Sequence, residues 1–291
     1  MTNLIFLPLK LFSHLIISLP LPAQFFIGDL IGYLWFDILR IRRTTVLHNL
    51  DLAFPEKAEA EKIRIGRRSM CNLGRGFVEF LRLPFIDEYP LENHFEIVGE
   101  SHLLAAMQEA KGVALLTCHL GNGDWATVGL QKHGFPLNII SKEFKLRFLN
   151  DFWFETRMAI GTRFIKDRGS SLQILKALKA NRIVVFMLDQ FMGPPIGVKT
   201  RFFGHETGTA MGLAVLVARS RSPVVPVFTY RLSDGRTRIV FEPQIPFVEG
   251  KDSEQTIQSM TQTYSDKIED IVRRYPEQWM WVHRRWKKFK Y

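Results

Sequence analysis

Residues 112–129 read GVALLTCHLGNGDWATVG, and this stretch decides the class of fold. Residues 112–117 form a short continuous apolar run of the kind found in strands that are buried on both faces of a sheet. Residues 124–132 then show helical spacing. A buried strand that leads through a turn into a helix is the repeating unit of α/β proteins, so the stretch predicts an α/β core.

The same alternation of strand and helix continues along the chain. Further strands are predicted at residues 183–188, 224–228 and 236–241, and helices at 42–54, 59–83, 146–160, 170–180, 210–219 and 254–274. Pro55 separates the first two of these helices. The pattern predicts a mixed, mostly parallel central sheet flanked by helices.

The N-terminal segment has a different composition. Leu, Ile and Phe dominate residues 4–39, but Lys10, Pro20 and Asp29 interrupt the segment, and it lacks the long charge-free run of a spanning helix. Arginines follow at once, at residues 40–43. We therefore predict a helical membrane anchor at residues 1–40, embedded in the bilayer or lying at its interface, and one catalytic-sized domain at 41–291. The alternative is that these are core helices of a soluble protein.

The charge of the chain favours anionic partners. There are 39 Lys and Arg residues against 29 Asp and Glu, a net charge of +10. Nucleic acid, phosphorylated lipid, a bilayer surface and an acidic carrier protein all fit this charge. Residues 284–290 interleave basic and aromatic side chains, which suits nucleic acid or anionic lipid, and the apolar N-terminus favours lipid. The two cysteines, Cys71 and Cys118, predict neither disulfide nor zinc.

Two kinds of chemistry fit the glycine-rich turn. The G-x-G-x-x-A spacing from Gly121, with Glu143 further on, imitates a dinucleotide-binding turn, although residues 118–120 intervene between strand and glycines. Alternatively, His119 follows a buried strand at the rim of the sheet, and Asp124 can fold back onto its imidazole. A carboxylate there fixes the tautomer and makes the ring a base for an alcohol. Asp124 is equally suited to cap the following helix.

An ordered series of motifs resolves this choice. They are Thr117–Asn122 with Asp124, Arg157 with Gly161, Leu188–Gln190, Arg201–Gly204, the strand 223–228 and the tryptophan-rich stretch 276–286. Together they resemble the bacterial lipid A late acyltransferases and their relatives that acylate mannosylated phosphoinositides, within the wider His-x4-Asp/Glu acyltransferases.

The resemblance implies transfer of a fatty acyl chain to a hydroxyl of an anionic glycolipid, at the cytoplasmic face of the inner membrane. The donor would be acyl carrier protein or acyl-CoA, with His119 as base and Asp124 as its partner. The implied substrate-binding residues are Asn122, Arg157, Asp189, Gln190 and Arg201. No cofactor, metal, nucleic acid or covalent acyl-enzyme is expected.

Alternatives remain open for the function and for single residues. A lysophospholipid acyltransferase would use the same pair, and a noncatalytic membrane-binding protein would need neither residue. Arg157 can instead lie on a solvated helix face, Asp189 and Gln190 can simply end a strand, and Arg201 can cap a loop. Cys118 is expected to be a small buried side chain, because it points away from the face that His119 occupies.

Overall fold

A computed structural model describes residues 7–88, 90–142, 147–167 and 169–289. Its helices are α1 Leu7–Ile17, α2 Leu21–Tyr33, α3 Arg43–Ala53, α4 Glu59–Arg82, α5 Glu100–Gln108, α6 Gly123–Lys132, α7 Arg147–Ala159, α8 Ser171–Lys179, α9 Gly212–Ser220 and α10 Ser253–Arg274. A π-helical turn, Leu34–Ile38, follows α2. The strands are β1 Phe95–Val98, β2 Val113–Thr117, β3 Leu137–Ser141, β4 Arg163–Lys166, β5 Ile183–Met187, β6 Gly197–Phe202, β7 His205–Ala210, β8 Val224–Arg231 and β9 Thr237–Phe241.

Seven of the strands in these described ranges form one sheet, in the order β1-β9-β8-β2-β5-β3-β4. All neighbours run parallel except β8 and β9, which are antiparallel. β2 lies in the middle with every residue buried, which explains its continuous apolar sequence. β6 and β7 form a separate antiparallel hairpin. The prediction of a mixed, mostly parallel central sheet flanked by helices is confirmed.

The predicted elements correspond closely to observed ones. The predicted strands match β2, β5, β8 and β9, and the predicted helices match α3, α4 and α6 to α10. The start predicted for one helix, Leu146, lies outside the described residues. Sequence analysis missed α5, the edge strands β1 and β4, the inner strand β3 and the β6–β7 hairpin.

The N-terminal helices pack against the rest of the protein through glycines. A Cβ atom added to Gly74 of α4 would lie 2.0 Å from the carbonyl oxygen of Gly28, and one added to Gly32 would lie 2.3 Å from Cys71 Cα. Only glycine permits this close approach of α2 to α4. The predicted domain boundary at residue 40 remains a prediction.

The predicted anchor does not contain a spanning helix in the described part of the chain. Among the described residues, only the pair Leu9–Ile17 and Leu21–Ile38 is together long and apolar enough for a membrane span, and this pair is bent by 119°. Residues 1–6 of the predicted anchor lie outside the described residues.

Candidate active site

The candidate site lies where two neighbouring parallel strands end. β2 and β5 are paired so that Thr117 faces Met187, and both chains leave the sheet at this edge. His119 follows β2 and Asp189 follows β5, which brings their side chains together although 70 residues separate them. Parallel α/β sheets bind ligands at this carboxyl edge.

His119 and Asp189 form a hydrogen-bonded pair. His119 Nδ1 donates to Asp189 Oδ1 at 2.7 Å. The other carboxylate oxygen, Oδ2, accepts from the backbone N–H of His119 and from Trp279 Nε1, both at 2.8 Å. The Asp189 side chain is completely buried, whereas 22% of the His119 side chain is exposed. The Nδ1 atom of His119 is therefore held inside the protein, while part of the imidazole ring is accessible to solvent.

The arrangement of the pair would suit His119 to act as a base. Because Asp189 accepts at Nδ1, the neutral ring carries its proton there and keeps a lone pair on Nε2. Burial lowers the pKa of His119, but the charge and hydrogen bond of Asp189, with a further contribution from Asp124, raise it above 6.5. Burial raises the pKa of Asp189, but its contacts with His119 and Trp279 bring it well below its usual range. A charged carboxylate thus supports the imidazolium that forms during proton transfer.

Asp124 has a different partner from the one predicted. Its Oδ1 accepts from Arg157 Nη1 at 2.5 Å, and its Oδ2 accepts from Trp153 Nε1 at 3.3 Å. In the described ranges the carboxylate that is hydrogen-bonded to His119 is Asp189, so the expected contact of Asp124 with the imidazole is corrected. The first turn of α6 directs Asp124 toward α7 instead. Asp124 influences His119 through its charge.

Arg157 is a buried residue, not a solvated one. Its exposure is 0%, its Nη2 donates to Thr127 Oγ1 at 2.5 Å, and its guanidinium lies 4.5 Å from the centre of the Trp153 ring. Burial lowers the pKa of Arg157, and the Asp124 carboxylate opposes this effect. The guanidinium therefore fixes Asp124, which is itself half exposed. The alternative of a solvated surface role for Arg157 is wrong.

The glycine turn is held by a buried polar network. Asn122 donates through Nδ2 to Glu79 Oε2 at 2.8 Å, and Glu79 forms a bidentate pair with Arg231 at 2.7 Å for each bond. Asn122 also caps α6, because its side-chain oxygen accepts from the backbone N–H of Trp125 at 3.2 Å. The cap is therefore Asn122 and not Asp124. Gly121 has a φ of +60°, and a Cβ there would lie 2.6 Å from the Thr229 carbonyl oxygen.

The C-terminal stretch completes the site, which sequence analysis did not foresee. Met280 N–H donates to the His119 carbonyl at 3.0 Å, so the tail lies along the loop that carries the base. The ring centres of His283 and His119 are 5.2 Å apart. Arg285 is buried, and Trp286 donates through Nε1 to the Phe202 carbonyl at 3.0 Å. These two tail residues are thus held within the fold, whereas the tail was predicted to lie on anionic lipid.

The two remaining predicted substrate-binding residues, Gln190 and Arg201, differ in their distance from His119. Gln190 Nε2 lies 3.4 Å from His119 Nε2. Arg201 is exposed on β6, where its backbone exchanges hydrogen bonds with the side chain of Gln262 of α10, and none of the described contacts joins it to His119.

Glu143, the acid of the dinucleotide interpretation, lies outside the described residues. Within the described ranges no three His, Cys, Asp or Glu side chains are grouped as a metal site requires.

A histidine held by a buried carboxylate, at the carboxyl edge of an α/β sheet, is an arrangement suited to general-base catalysis of group transfer to a hydroxyl. Comparison with known sequences identifies the group transferred. The family described as bacterial lipid A biosynthesis acyltransferase matches residues 4–288, so the chain belongs to this family and is an acyltransferase. The family and the enzyme class predicted from the motifs are both confirmed.

Individual relatives are distant but cover most of the chain. The lipid A biosynthesis lauroyltransferase of Escherichia coli strain K12 is 26% identical over 280 residues, which is 94% of this chain and 88% of the relative. The palmitoleoyltransferase of the same organism is 25% identical over 277 residues, 93% and 87% of the two chains. The phosphatidylinositol mannoside acyltransferase of Mycolicibacterium smegmatis is 25% identical over 224 residues, 76% and 71% of the two chains.

Proposed function

We propose that the protein transfers a fatty acyl chain from an acyl thioester to a hydroxyl of a lipid A-type glycolipid, with His119 as general base. The observation that carries this proposal is the 2.7 Å hydrogen bond from His119 Nδ1 to the buried Asp189, which leaves Nε2 as the basic atom. The names of the relatives support a glycolipid acceptor.

The mechanism is a direct transfer. His119 Nε2 removes the proton of the acceptor hydroxyl as its oxygen attacks the thioester carbonyl carbon, and a tetrahedral intermediate forms. The C–S bond then breaks, and the leaving thiolate takes the proton from the imidazolium. Asp189 stabilises the imidazolium throughout, and the charge of Asp124, held by Arg157, adds to this effect. Positioned base catalysis of this kind contributes about 10²- to 10⁴-fold.

Cys118 has no part in this chemistry. It adjoins His119, but it is only 1% exposed and belongs to the apolar core. Burial raises its pKa well above 9.0, so the thiol stays protonated at neutral pH. Cys118 is therefore not suited to carry a covalent acyl group.

We expect the purified protein to acylate a phosphorylated lipid A precursor at least about tenfold faster, in kcat/KM, than a lysophospholipid, because the two acceptors present different polar groups to the site. The assay offers the same fatty acyl group on acyl carrier protein and on CoA, and follows the product by mass spectrometry. A faster reaction with lysophospholipid would favour the glycerolipid alternative. No transfer to either acceptor, with membrane binding intact, would favour the noncatalytic one.

Membrane association is proposed for the N-terminal helices. Their large apolar side chains are exposed, with Leu15 of α1 at 64% and Phe26 of α2 at 67%, and the exposed Arg40 and Arg42 follow. An exposed apolar surface next to cationic groups suits the interface of an anionic bilayer. These features support an anchor that lies at a bilayer interface, and we propose that the interface is the cytoplasmic face of the inner membrane.

Replacing Leu15 and Phe26 together by serine is expected to weaken binding to vesicles that contain anionic phospholipid by about tenfold or more, because each buried apolar side chain contributes roughly 1.5–3 kcal/mol. Flotation with the vesicles measures the bound fraction. The matched control is Leu172→Ser, since Leu172 is 75% exposed but lies on α8, outside the N-terminal segment. Equal vesicle binding of the wild type, the double serine variant and Leu172→Ser would disprove the interfacial anchor.

A further inference from the structure

The side-chain amide of Gln190 lies between two imidazole rings. Its Nε2 is 3.4 Å from His119 Nε2 and 3.2 Å from His283 Nε2. An amide nitrogen has two N–H donors and accepts no hydrogen bond, so each ring nitrogen must act as an acceptor. For His119 this agrees with the neutral base, whose proton is on Nδ1.

His283 can serve as the second acceptor because it is neutral at neutral pH. Burial lowers its pKa below 6.5, His119 and Arg42 lower it further, and Asp189 only partly opposes them. The charged and titratable groups that influence the pKa of His283 are thus His119, Asp189 and Arg42, and Gln190 Nε2 lies 3.2 Å from its Nε2. A neutral ring with its lone pair on Nε2 accepts one amide hydrogen of Gln190.

The backbone on both sides of this contact is held in place. Asn49, buried on α3, donates through Nδ2 to the carbonyls of Trp281 and His283, both at 2.7 Å. Arg285 donates through Nη1 to the carbonyl of Gln190 at 3.3 Å. The tail and the β5 end are therefore fixed relative to each other, and the amide is oriented before any substrate binds.

The reaction requires a donor for the oxygen of the tetrahedral intermediate, and the two buried guanidinium groups near the site are already engaged. Arg157 is bound to Asp124 and Thr127, and Arg285 donates to the Gly208 carbonyl at 2.6 Å and to Thr209 Oγ1 at 2.7 Å. Gln190, in contrast, is exposed and adjacent to the basic nitrogen. Its 3.4 Å contact with His119 is too long to be a strong hydrogen bond, so this N–H is available to a substrate.

We propose that Gln190 is a catalytic residue that donates the amide hydrogen now facing His119 to the thioester carbonyl oxygen as negative charge develops there, and that His283 is a positioning residue that accepts the other hydrogen. The proposal rests on the proposed function. When the acceptor hydroxyl donates its hydrogen bond to His119 Nε2, the amide N–H that faced this nitrogen lies beside the thioester carbonyl carbon. A preorganised donor at this point stabilises the transition state more than the bound substrate.

A double-mutant cycle with Gln190→Met and His283→Phe tests the proposal. In the purified assay, with the faster donor and acceptor pair of the wild type, Gln190→Met is expected to lower kcat by about 10²- to 10³-fold with KM changed less than about twofold. His283→Phe should lower kcat by roughly tenfold. Because His283 acts through Gln190, the double variant should be no slower than Gln190→Met alone.

Different outcomes of this cycle would overturn different parts of the proposal. An unchanged kcat for Gln190→Met overturns the donor role, and multiplied losses in the double variant overturn the positioning role. His283→Gln, whose side-chain oxygen can accept the amide hydrogen, should recover most of the kcat lost in His283→Phe, and it covers the case in which the phenylalanine variant misfolds. A wild-type protein without transfer would instead overturn the proposed function itself.

Discussion

His119→Ala is expected to reduce acyl transfer to background, with a loss in kcat/KM of at least about 10²- to 10⁴-fold. The structure gives the reason: Nε2 of His119 is the basic atom beside the exposed amide of Gln190, while its Nδ1 is bound to Asp189. The measurement is the initial rate of product formation by the purified protein, with thermal unfolding recorded in parallel.

Two further variants separate lost chemistry from lost stability. His119→Ala leaves the buried Asp189 without one donor, which costs about 1–3 kcal/mol. His119→Asn keeps an N–H donor for Asp189 but has no basic nitrogen, so it should be stable and equally inactive. His133→Ala is the matched control, because His133 is 42% exposed and pairs with Glu100 away from the site. Full activity in either His119 variant would end the proposal.

The central strands could be predicted from sequence because a strand that is buried on both faces consists of consecutive apolar residues. β2 is buried at every position and β5 at four of five, so both are continuous apolar runs. β4, with the sequence RFIK, is one of the two edge strands, and its pattern of one buried, one half-buried and two exposed residues gives no such signal. The β6–β7 hairpin was missed because polar residues such as His205 and Glu206 make up much of it.

The position of His119 could be predicted, but the identity of its partner could not. A residue that follows a buried strand lies at the sheet edge, and this rule applies to His119 from the sequence alone. Asp124, five residues further along the chain, was then the one carboxylate close enough in sequence to be proposed as the partner of His119. Asp189 became its neighbour because β5 pairs with β2 in the sheet, although β3 and β4 lie between them in the chain. Strand order of this kind depends on the whole fold.

Asp189→Asn is therefore expected to have a larger effect on catalysis than Asp124→Asn. In Asp189→Asn the amide can face Nδ1 with its N–H, which forces the ring proton onto Nε2 and removes the base. A loss in kcat of about 10³- to 10⁴-fold follows from a wrong tautomer. Asp124→Asn removes only a more distant charge, so we expect roughly a tenfold loss, while the asparagine oxygen still accepts from Arg157.

The pH dependence of kcat/KM separates the two carboxylates further. The base works only when His119 is unprotonated, so activity falls as the pH drops through its pKa, which lies above 6.5 in the wild type. Without the Asp189 charge, burial dominates and lowers the pKa, so the acid limb of the residual activity should move to lower pH. Asp124→Asn should move it in the same direction by less. A larger shift and a larger loss in Asp124→Asn would identify Asp124 as the true partner of the base, and would show that the hydrogen bond to Asp189 serves the fold rather than the reaction.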